Sequence, residues 1–118
     1  MPRILIVDDS VFQRKMISRM LVPEGHTVIE AAGGREGLKM FIKERPDLVI
    51  VDLLMPEISG MEVLTEIRRQ SADLPVIVCT SDIQTAIRQE CMSMGASGFV
   101  NKPVNRDELI GLVSGLVH

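Results

Sequence analysis

The feature that most constrains this chain is an alternation of short, almost wholly apolar runs with longer stretches of helical period. The runs at 4–7, 48–51 and 75–79 have an apolar residue at every position. A run without a polar face is typical of a strand buried on both sides in a parallel sheet. Two weaker strands are predicted at 27–31 and 98–100.

The intervening stretches predict five helices, so the chain consists of five β/α units without a repeat or a linker. Helical periodicity covers residues 11–21, 35–44, 61–69, 83–94 and 106–116. Asn105 is the predicted N-cap of the last helix, because Asp107 and Glu108 then lie in its first turn, where acidic side chains are favoured. Strict alternation of strand and helix predicts parallel strands, right-handed crossovers and helices on both faces. The predicted fold is therefore a doubly wound, five-stranded parallel α/β sheet of the flavodoxin-like (βα)5 type.

Length and composition exclude several classes of protein. A chain of 118 residues fits one domain, predicted here to span 1–118. It has no apolar run near the roughly 20 residues of a membrane helix, and the N-terminal run is broken by acids, unlike a signal peptide. A net charge of −3 argues against a nucleic-acid surface, and two cysteines without a CxxC motif indicate neither a disulfide framework nor a zinc site. We expect a cytoplasmic domain without direct nucleic-acid or membrane contact.

Its last helix reaches His118 without a stop signal, which leaves open a continuation into an effector domain.

Polar residues end four of the predicted strands at one edge of the sheet. Asp8 and Asp9 follow the first strand, Asp52 the third, Thr80 the fourth and Lys102 the fifth. Ligands of open α/β sheets bind at the carboxyl ends of the strands, near the point where the strand order reverses. We therefore expect these side chains to form one site.

The chemistry of such a site follows from its charges. Two unit charges 4 Å apart repel by about 4 kcal/mol at an effective dielectric constant near 20, so three crowded carboxylates need a counter-charge. A hard divalent cation with oxygen ligands supplies it, and Mg²⁺ suits a site with few carboxylates. Such a cation lets a phosphoryl group approach the carboxylates. Lys102 and Thr80 then offer hydrogen-bond donors to the phosphoryl oxygens, and one of the aspartates serves as the nucleophile.

Each residue taken singly has an ordinary structural explanation. Asp8 and Asp9 are suited to cap the following helix, Asp52 to form a turn, and Thr80 to end a strand, while a lone Lys102 is typical of a solvated surface. The functional interpretation depends on all of them meeting at one edge.

These motifs together resemble those of a response-regulator receiver domain of the CheY type. The matching segments, which extend over essentially the whole chain, are Asp8-Asp9, the turn 52–56 with Gly60, Thr80-Ser81, and Phe99-Val100-Asn101-Lys102-Pro103. The resemblance implies that Asp52 accepts a phosphoryl group from a histidine kinase or a phosphotransfer protein. It also implies a signal that is passed to a downstream protein, to a fused effector domain or to a phosphorylation-dependent homodimer.

The resemblance assigns further roles by position. Asp9 would bind Mg²⁺ directly, Asp8 would act mostly through water, and Leu54 would contribute its backbone carbonyl. Lys102 and Thr80 would contact the phosphoryl oxygens.

The same resemblance implies a switch at the fifth strand. Phe99 would change rotamer, turning inward as Thr80 moves, with about 1.5–3 kcal/mol from burying the ring. Pro103 would follow a cis peptide bond, which is inexpensive only before proline. The surface formed by helix 83–94, Phe99 and helix 106–116 would then be the partner or dimer face.

Two positions depart from the best-known chemotaxis pattern. Phe99 replaces a frequent tyrosine and so lacks a hydroxyl group, and Leu54 is apolar where a polar residue is frequent. Leu54 and Asp82 would flank the path of a water that attacks the phosphoryl group.

Two other functions compete with the receiver interpretation. An aspartyl phosphatase of the haloacid dehalogenase type needs a second aspartate two residues after the nucleophile, where this chain has Leu54 after Asp52 and Ser10 after Asp8. A flavin-binding protein on a similar sheet needs a phosphate loop after the first strand, where the carboxylates of Asp8 and Asp9 would repel a phosphate. Turnover of a phosphomonoester, or a yellow chromophore, would distinguish them.

Overall fold

The three central strands of the sheet are the ones with uninterrupted apolar runs. The computed structural model describes residues 1–117, and His118 lies outside the described residues. The strands are β1 (Arg3–Val7), β2 (Thr27–Ala31), β3 (Leu48–Val51), β4 (Val76–Thr80) and β5 (Gly98–Asn101). All pairs are parallel, in the order β2-β1-β3-β4-β5. The buried β1, β3 and β4 are thus flanked on both sides, which confirms the predicted doubly wound sheet.

Five α-helices cover the two faces of this sheet. They are α1 (Val11–Leu21), α2 (Gly34–Glu44), α3 (Gly60–Gln70), α4 (Thr85–Ser93) and α5 (Arg106–Leu116), and a short 3-10 turn (Val22–Glu24) follows α1. Side chains of α2, α3 and α4 pack on one face, and those of α1 and α5 pack on the other. Alternate residues of each central strand point to each layer, so neither face of the sheet needs polar residues.

Local hydrogen bonds explain where the helices begin. The Ser10 hydroxyl oxygen accepts from the Gln13 N–H at 3.2 Å, so Ser10, rather than the acid pair before it, caps α1. Asn105 caps α5 as predicted, with Oδ1 accepting from the Glu108 N–H at 2.9 Å. The predicted start of the fourth helix at Ile83 is wrong, because α4 begins at Thr85.

Residues 81–84 form a loop, and the reason is a set of side-chain hydrogen bonds that hold the chain out of the helical path. The Asp82 carboxylate accepts from the Gln84 N–H at 2.9 Å, and the Asn101 amide donates to the Asp82 carbonyl at 2.7 Å.

Among residues 1–117, no helix is long and apolar enough to cross a membrane.

Candidate functional site

The candidate site lies where the strand order reverses. β1 and β3 are neighbours, yet the chain leaves β1 toward β2 on one side and reaches β3 on the other. A crevice at the carboxyl ends of such strands is the usual ligand position in this architecture. Asp8 follows β1 and Asp52 follows β3, and the Asp52 N–H donates to the Val7 carbonyl at 3.0 Å, so this ladder continues into the site.

Three carboxylates meet in this crevice. Asp8, Asp9 and Asp52 each offer one oxygen, and these oxygens all lie within 4.8 Å of one another. Asp8 and Asp52 are buried, with 2% and 6% of their surface exposed, whereas Asp9 is exposed. Buried carboxylates need a partner of opposite charge, so the cluster requires a cation.

Lys102, which directly follows β5, supplies a positive charge to the crevice. Its Nζ lies 2.9 Å from Asp8 Oδ2 and 3.4 Å from Asp52 Oδ2, and the lysine side chain is only 14% exposed. The backbone holds this residue in place, because the Lys102 N–H donates to the Thr80 carbonyl at 2.8 Å. The following peptide bond, Lys102–Pro103, is cis.

The charges in this crevice shift the proton affinities of its groups. Burial raises the pKa of Asp52 above its ordinary value of 3.8; the charge of Lys102 opposes this shift, and the charge of Asp8 adds to it. Burial by itself would lower the pKa of Lys102. The hydrogen bond with Asp8 and the charge of Asp52 outweigh that effect, so the pKa of Lys102 is raised. Lys102 therefore stays protonated, and burial makes the carboxylate of Asp52 more basic.

The two buried aspartates differ in their hydrogen bonds. Asp8 Oδ1 accepts from the Ser10 N–H at 2.9 Å, and Asp8 Oδ2 accepts from Lys102. Asp52 Oδ1 accepts from the Leu54 N–H at a longer 3.3 Å. Both oxygens of Asp8 are thus firmly held, whereas those of Asp52 have only long contacts. Leu54 is 60% exposed, and its contact with the acid is made by its backbone N–H.

A close backbone approach fixes the turn after Asp52. Gly60, at the start of α3, lies so near that a Cβ atom there would overlap the Asp52 carbonyl oxygen and the Leu53 Cα. The Gly60 N–H donates to the Leu53 carbonyl at 3.0 Å. Only a residue without a side chain lets α3 begin this close to the acid.

Thr80 and Phe99 lie on the α4 side of the crevice. Thr80 is fully buried, and its hydroxyl oxygen accepts from the Asp82 N–H at 3.2 Å. Phe99 is only 7% exposed, and the guanidinium carbon of Arg88 lies 5.6 Å from its ring centroid. The expected gain of about 1.5–3 kcal/mol from turning this ring inward is therefore too large, because most of the ring is already out of water.

Comparisons with known proteins agree with this geometry. The family model of the response regulator receiver domain matches residues 4–114. The chain belongs to the response regulator receiver family. This receiver domain is 35% identical to the chemotaxis protein CheY of Bacillus subtilis, over 95% of this chain and 94% of that protein. It is 35% identical to the response regulator MprA of Mycolicibacterium vanbaalenii over 98% of this chain.

The relatives differ in length. The receiver domain covers nearly all of CheY but only 50% of MprA. It covers 42% and 48% of the probable transcriptional regulators ycf27 of Guillardia theta and Cyanophora paradoxa. The chain thus spans about half the length of many of the curated relatives that it matches.

Among solved structures, one similar protein was crystallised with a ligand. The response regulator TrrA of Thermotoga maritima, in complex with Mg²⁺ and BeF, superposes with a TM-score of 0.91 at 39% identity, covering 99% of this chain and 100% of that one. The chemotaxis protein CheY4 of Vibrio cholerae superposes with a TM-score of 0.92 at 34% identity, covering 99% of each chain.

The receiver domain brings together Asp8, Asp9, Asp52 and Lys102, which the sequence singled out at the strand ends, while the Thr80 hydroxyl contacts the Asp82 N–H. Two contributors were missed. Asn101, two residues after Phe99, donates through its side-chain amide to the Thr80 and Asp82 carbonyls at 3.3 and 2.7 Å. Arg14 donates to the Asp8 carbonyl at 2.7 Å. A polar side chain at the end of an apolar strand was the available signal for Asn101, while nothing in the sequence pointed to Arg14.

Proposed function

We propose that Asp52 is the phosphoacceptor of this receiver domain. In the proposed reaction a carboxylate oxygen of Asp52 attacks the phosphorus of a phosphohistidine on a histidine kinase or a phosphotransfer protein. The new P–O bond forms as the P–N bond breaks, and the imidazole leaves with the electron pair of that bond and takes up a proton. The product is a mixed anhydride on Asp52, which water later hydrolyses.

The observation that carries the assignment is the difference between the three carboxylates. Both oxygens of Asp8 are engaged at 2.9 Å, and Asp9 is exposed to solvent. Asp52 is buried and, unlike Asp8, has only long contacts of 3.3 and 3.4 Å, and burial raises its pKa. A nucleophile needs a lone pair that is free and basic, so Asp52 fits best.

The residues also fit a magnesium ion. Three carboxylates against one ammonium leave two negative charges, which one divalent cation balances, and every donor is a hard oxygen. Asp9, Asp52 and the Leu54 carbonyl would hold the ion, and Asp8 would act mostly through water, which are the roles that the family resemblance implies. When bound there, such an ion would supply the positive charge that lets a phosphoryl group approach the carboxylates. The Mg²⁺–BeF complex of TrrA supports the same choice of ion.

The remaining residues receive the transferred group. Lys102 is already within 3.4 Å of Asp52, so a phosphoryl oxygen there would meet a protonated amine in a buried site. Thr80 would donate its hydroxyl to another oxygen, and Phe99 would respond to that movement. The readout is a contact with a downstream protein, a fused effector domain or a second copy. We further propose that the functional unit spans 1–118, acts in the cytoplasm, and makes no contact with nucleic acid or membrane itself.

Phosphorylation by a small acyl phosphate tests the assignment. With Mg²⁺, the protein should gain the mass of one phosphoryl group, which is lost on hydrolysis; a chelator or Asp52→Asn should abolish the gain. Asp73→Asn, which removes an exposed carboxylate elsewhere, is the matched control and should label like wild type. Mapping of the group to Ser10, Ser81 or a histidine would show that the nucleophile is wrong.

The domain is a signalling module, and we propose that it catalyses only its own phosphorylation and dephosphorylation. Incubation with a phosphomonoester should release no phosphate above the level seen without the protein. Sustained turnover that is lost in Asp52→Asn would instead make the protein a phosphatase.

A further inference from the structure

The loop between β4 and α4 is fastened to β5 by one side chain. Asn101 donates both amide hydrogens, one to the Asp82 carbonyl at 2.7 Å and one to the Thr80 carbonyl at 3.3 Å. A primary amide has two donors, so both are used on this loop. Backbone pairing fixes Asn101 itself, which lies opposite Thr80 in the register of β4 and β5.

Asp82 connects this attachment to the site and to the helix. Its N–H donates to the Thr80 hydroxyl oxygen at 3.2 Å, and its carboxylate accepts from the Gln84 N–H at 2.9 Å. Gln84 is the N-cap of α4 and makes no capping hydrogen bond with its own side chain. The position of Asp82 therefore sets both the orientation of the Thr80 hydroxyl and the start of α4.

Near its start α4 packs on the core through Ile87, which is only partly buried. Cys91, in the second half of α4, is its one fully buried residue, and Ile83 before the helix is 81% exposed. Arg88 reaches back to β5, where its guanidinium carbon lies 5.6 Å from the Phe99 ring centroid. Phe99 and Asn101 are two apart on one strand, so both point to the face that α4 covers.

We propose that Asn101 is the positioning residue that holds the β4–α4 loop in its resting conformation. It acts through Asp82 on the Thr80 hydroxyl and, through α4, on Phe99. The consequence of this inference for switching rests on the proposed phosphorylation of Asp52. When the Thr80 hydroxyl moves toward a phosphoryl oxygen, it draws away from the Asp82 N–H. Asn101 resists that movement because it holds Asp82 in place. Loss of the amide should shift the unphosphorylated protein part of the way to its switched conformation.

Amide hydrogen exchange tests the attachment without any phosphorylation. In Asn101→Ala and Asn101→Thr, protection of the Asp82 and Gln84 amides should fall roughly tenfold, the loss expected for one or two hydrogen bonds. Threonine is favourable in a strand, so the second variant guards against a folding defect. Asn101→Gln keeps both donors and should lie closer to wild type than to the alanine variant.

Ser97→Ala is the matched control, because Ser97 directly precedes the first residue of β5. Ser97 Oγ accepts from the Val76 N–H at 3.0 Å, so this variant should expose the Val76 amide and leave those of Asp82 and Gln84 unchanged. Unchanged protection of Asp82 and Gln84 in both Asn101→Ala and Asn101→Thr would overturn the proposal, as would an equal loss in Ser97→Ala.

The position of Phe99 tests the consequence. The chain has three phenylalanines, so fluorophenylalanine labelling gives three ¹⁹F resonances, which Phe12→Leu and Phe41→Leu assign. The Phe99 signal of unphosphorylated Asn101→Ala should move toward its position in phosphorylated wild type, whereas that of Ser97→Ala should not. A signal in Asn101→Ala that stays at the wild-type position overturns the coupling. A wild-type protein that takes no phosphoryl group refutes the proposed function, while amide exchange still decides the role of Asn101.

Discussion

Removal of the charge of Asp52 should stabilise the protein when no metal is bound. The carboxylates of Asp8 and Asp52 lie within 4.8 Å, which corresponds to at least about 3.5 kcal/mol of repulsion at an effective dielectric constant near 20. The attraction between Lys102 Nζ and Asp52 Oδ2, which lie 3.4 Å apart, is about 5 kcal/mol by the same arithmetic. Asp9 is exposed, so its repulsion of Asp52 is screened by solvent. The charge–charge contributions therefore nearly cancel, and the cost of burying the Asp52 carboxylate decides the sign.

The size of the effect follows from that remaining cost. Asn fits the same space, and its carbonyl oxygen keeps the hydrogen bond from Leu54. We expect Asp52→Asn to gain about 1–2 kcal/mol in a chelator, because a buried charge is replaced by a neutral amide. For a chain of this size that is a rise in Tm of about 4–10 °C.

The pH dependence of this gain has a definite sign. The pKa of Asp52 is raised in the folded protein above its ordinary value of 3.8. The wild type therefore gains stability as the pH falls through that raised pKa, and this contribution is fully present below 3.8. The advantage of Asp52→Asn should thus be present at pH 7 and vanish toward pH 3.

Thermal unfolding of wild type and Asp52→Asn, in chelator and in Mg²⁺ and at pH 7 and at low pH, measures the gain in stability, its pH dependence and the effect of the metal. Mg²⁺ should stabilise wild type more than Asp52→Asn, because the variant lacks one ligand. Asp73→Asn removes an exposed charge elsewhere and should leave Tm nearly unchanged. Equal melting curves for wild type and Asp52→Asn, with and without metal, would refute the reasoning; so would a gain in Asp73→Asn that matches that of Asp52→Asn.

Three further outcomes are expected. Gly60→Ala should cost about 3 kcal/mol in denaturant unfolding, because its methyl group overlaps the Asp52 backbone, and an unchanged midpoint would contradict the close approach. Burial raises the pKa of the Cys79 thiol to about 12, so iodoacetamide at pH 8 should label it only in denaturant; labelling of the native protein would contradict this. Thr80→Val and Phe99→Ala should accept a phosphoryl group at Asp52 yet lose most phosphorylation-dependent binding or dimerisation, and a parallel loss of both activities would refute the switch.

The order of the elements and the membership of the acid cluster could be predicted because both depend on local pattern. Apolar runs without a polar face place β1, β3 and β4 in the middle of the sheet, and a parallel sheet then brings Asp8 and Asp52 to one edge. Asn105 was predictable as a cap because capping needs only neighbours in sequence.

The errors arise where contacts distant in sequence decide the structure. The start of α4 at Thr85 follows a loop in which the Asp82 carbonyl accepts from Asn101, a residue nineteen positions later in the sequence. The burial of Phe99 likewise depends on Arg88 and on the packing of α4. Side-chain hydrogen bonds between a strand and a distant loop leave no periodic trace, so pattern reasoning misses them.

The bond between Lys102 and Asp8 joins residues 94 positions apart, and it has a consequence for a chain still being made. All three carboxylates are complete once β3 has been synthesised, whereas the lysine follows β5, the last strand and one that pairs only with β4. At about 5–20 residues per second, the nascent chain carries its acids for several seconds without their cation. A nascent chain that ends before Lys102 contains the three acids but not the amine that we propose contacts a phosphoryl oxygen. We therefore expect a new copy to become competent for phosphorylation only after β5 has joined the sheet.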